Sequence, residues 1–483
     1  MAGYHFLFVV SVFLGRIVCQ DFPGRYRLGN NVTPKFYSIK IHPFQTEQYF
    51  LGEVIMLVDV KHSVKTITMN SRSLEISDIV LDNLKNETGY AIQEKYELLH
   101  VFNKDYSYID PGEHFIYIKY KGIITTNSTG IFRSGDSIAS MFSATYARMA
   151  FPCFDDPAFK AKFAIRIVKP DETYEALSNM EKHQGSRSRN RCSEDSASCA
   201  FMNRCSEGGG SRSCFSEGRG SRSYHSDVKL ESRGVAVLKV EPQKVAAVKV
   251  EARKVAVLKE EARRIAIVKV DARGVDVMKV EAREVAVVNV EAPRVANSFR
   301  TKEGIVVDFR TTPLISPYVL CFLITKYKNT FTNHKSIDGR LIPIRLFLMD
   351  EYVDQAPFIL EVAKNSLGFF EEYTKLPYPS SKLDIIELKD FNAEGEENIG
   401  LITLMHNIVT FNETLRKSKL NHLRNGALLI VHEIAHMWFG DAVTHHWYND
   451  LWLTEGFAEF MERKGLRHQF PHWKGVCSSI EKR

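Results

Sequence analysis

The chain has 483 residues, of which 44% are hydrophobic and 25% are charged, and its formal net charge is +6. This composition is typical of a globular protein, and the length is sufficient for two or three domains with their own cores. The positive excess is concentrated in an arginine-rich stretch at residues 186–222. It therefore does not indicate a nucleic-acid-binding surface, and no nucleic-acid partner is expected.

The first twenty residues contain a short apolar segment, residues 6–15, followed by Arg16. Ten apolar residues are too few to span a bilayer, and the segment fits a secretory signal peptide over residues 1–20. A signal anchor, and with it membrane attachment, is the alternative. Four N-x-S/T sequons agree with passage through the secretory pathway to an extracellular or cell-surface location; they are at Asn31, Asn86, Asn127 and Asn412.

Residues 21–327 show the pattern of an all-β domain, in which short alternating segments are separated by turn residues. The last predicted strand is residues 318–327. The earlier predicted strands are residues 37–41, 53–60, 66–69, 96–101, 114–121 and 162–168.

An insert at residues 181–298 interrupts this domain. Residues 181–224 are mostly Ser, Arg, Gly, Glu and Cys, and we expect no packed structure there. Six decapeptide repeats follow from Gly234, such as K-V-A-V-L-K-E-E-A-R from Lys254. Their valines favour strand and their Glu, Ala, Arg and Lys favour helix. The repeats either stack into a small solenoid or are a translated repeat of non-coding origin.

Residues 328–483 mix helix and strand patterns. Strands are predicted at residues 342–348 and 383–388, an edge strand at 400–409, and an amphipathic helix at 355–373. Two further helices follow. We expect an α+β domain that is incomplete at its C-terminus.

The first of these two helices carries the motif H-E-I-A-H, formed by His432, Glu433 and His436. Positions four apart lie on one face of a helix, so His432 and His436 can place two imidazole nitrogens on one metal ion. Glu433 is rotated by roughly 100° from His432, where its carboxylate can take a proton from a water molecule. Glu433 is therefore predicted to be the catalytic base and the two histidines to be metal ligands.

The boundaries of that helix are marked by Asn421 or Ser418 at its start and by Gly440 at its end. Its surface is apolar almost all round, as in a core helix. The uncharged segment before His432 is too short to span a membrane.

The second helix is expected to be capped by Asp450 or Thr454 and to end near Gly465. Glu455, separated from His436 by eighteen intervening residues, lies in its first turn. If this helix folds back against the first, Glu455 supplies a third zinc ligand and leaves the fourth position open for water, as in catalytic zinc sites. One zinc ion per chain is expected.

The run V-H-E-I-A-H-M-W-F-G-D-A-V-T, followed by W-Y-N-D-L-W-L-T-E-G-F-A, resembles the aminopeptidase N family of membrane alanyl aminopeptidases, a branch of the gluzincins. Residues 147–162 resemble the signature of that family's first domain, and residues 390–401 (D-F-N-A-E-G-E-E-N-I-G-L) lie where its exopeptidase motif belongs. The resemblance covers residues 24–180 and 299–470 in outline. It implies a multidomain fold, with a saddle-shaped all-β domain followed by a truncated thermolysin-like α+β catalytic domain.

The resemblance also implies a zinc aminopeptidase that acts on peptides with a free N-terminus. In such an enzyme zinc lowers the pKa of its water towards about 7, and Glu433 moves the proton to the leaving amine. Glu397 matches the glutamate that binds the substrate amine. Gly395 and Asn398, in the same motif, are expected to contact the substrate backbone.

Three departures from the family pattern weaken this expectation. The family motif G-A-M-E-N is replaced by Glu394, Gly395 and Glu396 before Glu397 and Asn398. The extra carboxylates could favour basic N-terminal residues or spoil the backbone contacts.

The second departure is upstream, where the family's amine-binding Gln falls at Ser143. The third is that only 28 residues follow Glu455, so the family's oxyanion-binding Tyr is not reached.

Two other functions therefore stay open. Beside the zinc aminopeptidase, the second possibility is a catalytically impaired or inactive relative that binds peptides or proteins, and the third is an endopeptidase of the same zinc class. Zinc binding without turnover would select the former, and cleavage of peptides with blocked N-termini would select the latter. Its oligomeric state is unknown.

Overall fold

The computed structural model of this chain describes residues 27–82, 87–183, 304–410 and 419–473, together with short strands between residues 227 and 301. Two compact units are present. Residues 1–183 and 297–483 contribute to one unit, and residues 184–296 form the other. The predicted signal peptide, the sequons at Asn86 and Asn412 and the cap at Ser418 lie outside the described residues.

The N-terminal part of the first unit consists of strands, as its alternating pattern predicts. In chain order these are β1 (Val32–Pro43), β2 (Tyr49–Val60), β3 (Ile67–Asn70), β4 (Glu75–Leu81), β5 (Thr88–Gln93), β6 (Leu98–Asn103), β7 (Gly112–Ile123), β8 (Gly130–Ser134), β9 (Ser137–Met141), β10 (Lys162–Lys169) and β11 (Glu175–Ser178).

Repeat strands and the strands after them continue the chain: β12 (Asp227–Lys229), β13 (Val237–Val240), β14 (Val248–Ala252), β15 (Val257–Ala262), β16 (Val268–Ala272), β17 (Lys279–Ala282), β18 (Val288–Glu291), β19 (Ser298–Thr301), β20 (Gly304–Asp308) and β21 (Phe322–Thr325). The strand predicted at 318–327 is shorter than expected, because a 3₁₀ turn at Pro317–Val319 precedes β21.

Three sheets build this β-rich part. The largest has the order β19-β20-β10-β1-β2-β7-β4, in which β1 pairs in parallel with β10 and antiparallel with β2. A second sheet has the order β11-β21-β9-β8, and a third β3-β6-β5. Buried side chains from all three sheets contribute to one apolar core, in which the fully buried Tyr37 ring stacks on Phe163 at a centroid distance of 4.8 Å.

The second unit contains the decapeptide repeats. Its strands form two parallel sheets, β12-β14-β16-β18 and β13-β15-β17, so successive repeats alternate between the sheets. Val248 is paired with Val268, and Val268 with Val288, which is an offset of twenty residues per coil. This backbone arrangement is the one expected for stacked repeats.

The C-terminal part of the first unit is α+β. It contains β22 (Lys328–Lys335), β23 (Leu341–Leu348), α1 (Ala356–Thr374), β24 (Leu383–Leu388), β25 (Gly395–Glu396), β26 (Leu401–Met405), α2 (Lys419–His436) and α3 (Leu451–Gln469). The sheet order is β22-β23-β24-β26-β25.

The expectation that residues 400–409 form an edge strand is wrong. Both neighbours of β26 are strands, parallel β24 and the two-residue β25. The sequence does not indicate β25, because two residues show no alternation.

Buried polar contacts join the β-rich part to the α+β part. The Asn179 amide donates hydrogen bonds to the carbonyl oxygens of Val319 and Ile399, at 2.8 and 2.9 Å. Gly400, in the left-handed region at φ +74°, fits against it, since an added Cβ would lie 2.3 Å from the Asn179 carbonyl oxygen. This contact fixes the chain immediately after the exopeptidase-like motif.

A buried ion cluster stabilises the α+β sheet. Asp384 is fully buried and accepts two hydrogen bonds from the Arg345 guanidinium, at 2.6 and 2.7 Å. It also forms an ion pair with Lys382 at 2.8 Å. Among the described helices, none has the length and apolar character needed to span a membrane.

We expect Asp384→Asn to lower the free energy of unfolding by about 3 to 5 kcal/mol, because it leaves buried Lys382 and Arg345 without a counter-charge. Urea unfolding followed by the fluorescence of buried Trp438 measures this change. The control is Asp350→Asn, which removes the exposed ion pair with Lys328 and should cost less than about 1 kcal/mol. Equal destabilisation by the two variants would contradict the assignment.

Candidate metal centre

Helix α2 places His432, Glu433 and His436 in its last turns. Its buried face packs Ile430, Val431 and Ile434 into the core, which is why an apolar sequence of this kind folds as an interior helix. The regular helix ends at His436 and not at the predicted Gly440. Tighter turns follow, with the Met437 amide donating to the Ile434 carbonyl at 3.2 Å.

Helix α3 presents Glu455 from its first turns. It begins at Leu451 and continues to Gln469, so the expected end near Gly465 is wrong. Gly465 is buried at the contact with α2, where an added Cβ would lie 2.8 Å from Cγ1 of Val431. The glycine therefore allows the two helices to approach closely.

The three predicted ligands converge. Donor atoms of His432, His436 and Glu455 all lie within 4.8 Å of one another. The two Nε2 atoms are 3.0 Å apart, and Oε2 of Glu455 is 3.5 Å from Nε2 of His432 and 3.6 Å from Nε2 of His436. This arrangement has the size of a site for one metal ion.

Hydrogen bonds on the far side of each ring set the tautomers. Nδ1 of His432 lies 2.7 Å from Oε2 of Glu462, and Nδ1 of His436 lies 3.1 Å from the Phe439 carbonyl oxygen. Both partners only accept, so both Nδ1 atoms carry the hydrogen. With Nδ1 as the donor, each ring turns its Nε2 atom towards the other ring, so the two Nε2 atoms can hold one cation between them.

The shifted pKa values of the ligand residues indicate that this site favours positive charge. Burial disfavours the charged form of His436, but the carboxylates of Glu397 and Glu455 outweigh it and raise its pKa to about 9. Burial likewise opposes ionisation of Glu455, yet His436 and His432 hold its pKa well below the usual range. The residues present therefore fit a divalent cation.

Glu433 lies beside the three ligands and is buried. Burial raises its pKa to about 8, although both histidines oppose this. Its carboxylate lies directly against the backbone of Gly395, where an added Cβ would be 2.1 Å from Oε1. A side chain at position 395 would therefore displace the Glu433 carboxylate.

The exopeptidase-like motif borders the same cluster of side chains. Gly395 and Glu396 form β25, and Glu396 is paired with Thr403 of β26. The Glu397 carboxylate is buried and raises the pKa of Glu433, His436 and Asp441, which places it within the cluster. Asn398 follows, fully buried.

Several buried polar atoms around this cluster have no hydrogen-bond partner within the part of the chain that the structure describes. Unpartnered atoms are costly in a protein interior, and a cluster of them indicates a place for an ion, water or ligand. They are Oε1 of Glu396, the amide atoms of Asn398, Oε2 of Glu433, both carboxylate oxygens of Asp441 and Nε2 of His445.

Sequence reasoning missed two contributors. Glu462 is seven residues after Glu455, hence two turns along the same helix face, and this spacing could have identified it. Asp441 is supported from the β-rich part, since Nζ of Lys160 donates to its carbonyl oxygen at 2.9 Å. The Tyr318 hydroxyl donates to the neighbouring Gly440 carbonyl at 3.1 Å. No local pattern reveals contacts of such sequence separation.

Two domain families match this chain. The Peptidase M1 N-terminal domain matches residues 33–196, and the Peptidase family M1 domain matches residues 358–482, which include the convergent ligands. The chain belongs to the peptidase M1 family. The family resemblance of the zinc-helix motif is thereby confirmed, as is the multidomain fold of a strand-rich domain followed by an M1 catalytic domain.

Curated relatives of this M1 peptidase chain are aminopeptidases. It is 24% identical to endoplasmic reticulum aminopeptidase 1 of Rattus norvegicus over 474 residues, covering 94% of this chain and 38% of the relative. It is 36% identical to aminopeptidase N of Canis lupus familiaris over 170 residues, covering 35% of this chain and 17% of the relative.

A third relative is mitochondrial aminopeptidase 2 of Saccharomyces cerevisiae, 24% identical over 463 residues, or 94% of this chain and 36% of the relative. The M1 chain thus spans well under half the length of these relatives.

Glu462→Gln should weaken Zn²⁺ binding by roughly 10- to 100-fold, because His432 loses the charged partner that orients its ring. Titration against a chromophoric chelator measures the affinity. Glu459→Gln is the matched control, since Glu459 is on the same helix but exposed. If the two variants bind Zn²⁺ equally, Glu462 does not orient the ligand.

Proposed function

We propose that this chain is a zinc aminopeptidase, which releases N-terminal amino acids from peptides. The observation that carries the proposal is the convergence of His432, His436 and Glu455 beside the buried Glu433. Two imidazole nitrogens and one carboxylate oxygen are a donor set typical of catalytic zinc, which keeps a further position for water or substrate. One zinc ion per chain would be held.

The domain assignment is part of the proposal. Residues 21–327 would form the β-rich N-terminal domain, with the insert at 181–298, and residues 328–483 the catalytic domain. The matched ranges of the two M1 domains, 33–196 and 358–482, support this division.

In the proposed reaction a water molecule is added to the first peptide bond. Zinc, when bound, supplies Lewis acidity that polarises a carbonyl and makes a water more acidic. Glu433 accepts the proton from the attacking water and returns it to the leaving amine. Its burial next to Gly395 keeps the carboxylate in one position, and the positive charge of the loaded site favours its ionised, basic form.

Recognition of a free N-terminus requires fixed negative charge near the reacting bond. Glu397 is 8% exposed and forms no ion pair with a Lys or Arg among the residues that the structure describes. It is therefore available to bind the substrate α-ammonium group. Gly395 and Asn398 flank it and would contact the substrate backbone.

A secretory or cell-surface location is proposed with this function. Asn127, in a sequon, is exposed on the β-rich part, as N-glycosylation requires. The substrates would then be extracellular or luminal peptides.

A peptide-binding protein with little or no activity is the second candidate. It is favoured by Ser143, which replaces an expected amine-binding Gln, and by Glu396, which replaces an apolar residue of the family motif. Zinc uptake with no turnover of any peptide would select this candidate.

Glu433→Gln should lower kcat for an aminoacyl p-nitroanilide by about 10²- to 10⁴-fold, because the variant cannot accept the water proton. Zinc content, measured by atomic absorption, should be unchanged since Glu433 is not a ligand. Loss of zinc together with activity would contradict the assignment as a base. The exposed neighbour variant Glu459→Gln serves as the control for folding and loading.

Glu397→Gln should raise KM for free peptides by about 10- to 100-fold, because a buried charge pair with the substrate amine is lost. Peptides with an acetylated N-terminus should not be cleaved by the unaltered chain. Cleavage of acetylated peptides at comparable rates would instead indicate an endopeptidase and overturn the aminopeptidase proposal.

A further inference from the structure

Glu396 is a buried acid whose charge the proposed mechanism does not use. Its side chain is 4% exposed, and its Oε1 atom has no hydrogen-bond partner among the described residues. No Lys or Arg forms an ion pair with it in that part of the chain. A buried carboxylate without a counter-charge is costly, so its presence requires a compensating partner.

The charged groups around Glu396 show which site its carboxyl group belongs to. Burial is the main cause that raises the pKa of Glu396, and the neighbouring carboxylates of Glu397, Glu433 and Glu455 raise it further. These are the groups proposed to bind the substrate amine, transfer the proton and hold the metal. Glu396 also directly follows Gly395, whose backbone lies against the Glu433 carboxylate. The Glu396 carboxyl therefore belongs to the proposed substrate site and not to a separate structural site.

Ser143 is the other side chain that acts on Glu396. Its hydroxyl lies beside the Glu396 carboxyl and lowers the pKa of that group. Positions 143 and 396 are two places at which this chain departs from the family pattern. Because the two departures lie next to each other, the Ser143 hydroxyl and the Glu396 carboxyl form one altered part of the proposed substrate site.

The carboxyl groups of the site can accept a second cation in addition to the metal ion. Glu396, Glu397, Glu433 and Asp441 are buried there, and Glu455 lies at its edge. The Lys160 ammonium group lies beside Asp441, a divalent ion would lie against Glu455 and beside Glu433, and the substrate α-ammonium group is assigned to Glu397. Glu396 is the acid of the site that is left without an assigned cation. A positively charged substrate side chain would reduce the remaining imbalance.

We propose that Glu396 binds the charged side chain of the substrate's first residue, so that this chain selects peptides beginning with Lys or Arg. The inference rests on the proposed function and names the substrate class of the same site. Glu396 and Glu397 are both buried beside Glu433, and the proposal assigns the α-ammonium group of the substrate to Glu397 and the charged side chain to Glu396.

Lysinamide and norleucinamide are the probes that isolate this contact. They share the α-amine and the four-carbon side chain, and differ in the terminal ammonium group. Isothermal titration calorimetry with the zinc-loaded full chain should show lysinamide binding at least about tenfold more tightly than norleucinamide. Glu396→Gln should reduce this ratio to below about threefold while leaving norleucinamide binding unchanged, because only the side-chain partner is lost.

Glu394→Gln is the matched control, because Glu394 carries the same charge two residues away but is exposed. It should preserve the lysinamide preference. Glu396→Met provides a second test that restores the apolar residue of the family motif, and it should remove the preference with zinc still bound. Circular dichroism and zinc content confirm that each variant is folded and loaded.

Three results would overturn the inference. They are an equal affinity of the unaltered chain for both amides, a preference that survives in Glu396→Gln, and an equal loss of both amides, which would place Glu396 on the α-amine. The aminopeptidase proposal fails separately, through absence of p-nitroanilide hydrolysis. A chain that binds lysinamide selectively but does not hydrolyse would keep this inference and support the peptide-binding function.

Discussion

Four buried carboxyl groups and two imidazoles lie in one cluster, and no Lys or Arg side chain among the described residues forms an ion pair with these carboxyl groups. Charges of one sign in a low-dielectric interior repel strongly and lose their hydration. The fold can hold them together only if a cation binds or protons are taken up, as the raised pKa of Glu433 indicates. The arrangement of α2, α3 and β25 is thus one that costs stability in order to create a cation-binding site.

Hydrogen bonds from the β-rich part of the same unit hold the backbone around this cluster in place. Asn179 holds the carbonyl of Ile399, Tyr318 holds that of Gly440, and Lys160 holds that of Asp441. Each contact fixes backbone next to a residue of the site while leaving the acidic side chains free. The α+β sheet and its helices α2 and α3 carry the residues of the site, and the contacts from the β-rich part fix the relative positions of these residues. The β-rich part and the site accordingly belong to one compact unit.

The sequence predicted the elements that have a local signature. His432, Glu433 and His436 follow from helical spacing, and Glu455 from the motif beyond them. It did not predict β25, which is too short to alternate, or the role of Gly465, because a glycine that ends a helix and one that permits close packing look alike in sequence. Asp441 and its support by Lys160 depend on residues 281 positions apart, which only the folded chain brings together.

The repeat unit has a consequence for how its length can vary. Because strands of one sheet come from every second decapeptide, gain or loss of a single decapeptide would transfer every later strand to the other sheet. Gain or loss of two decapeptides would leave every later strand in its original sheet. The pairing of this unit is therefore compatible with changes of length in steps of twenty residues.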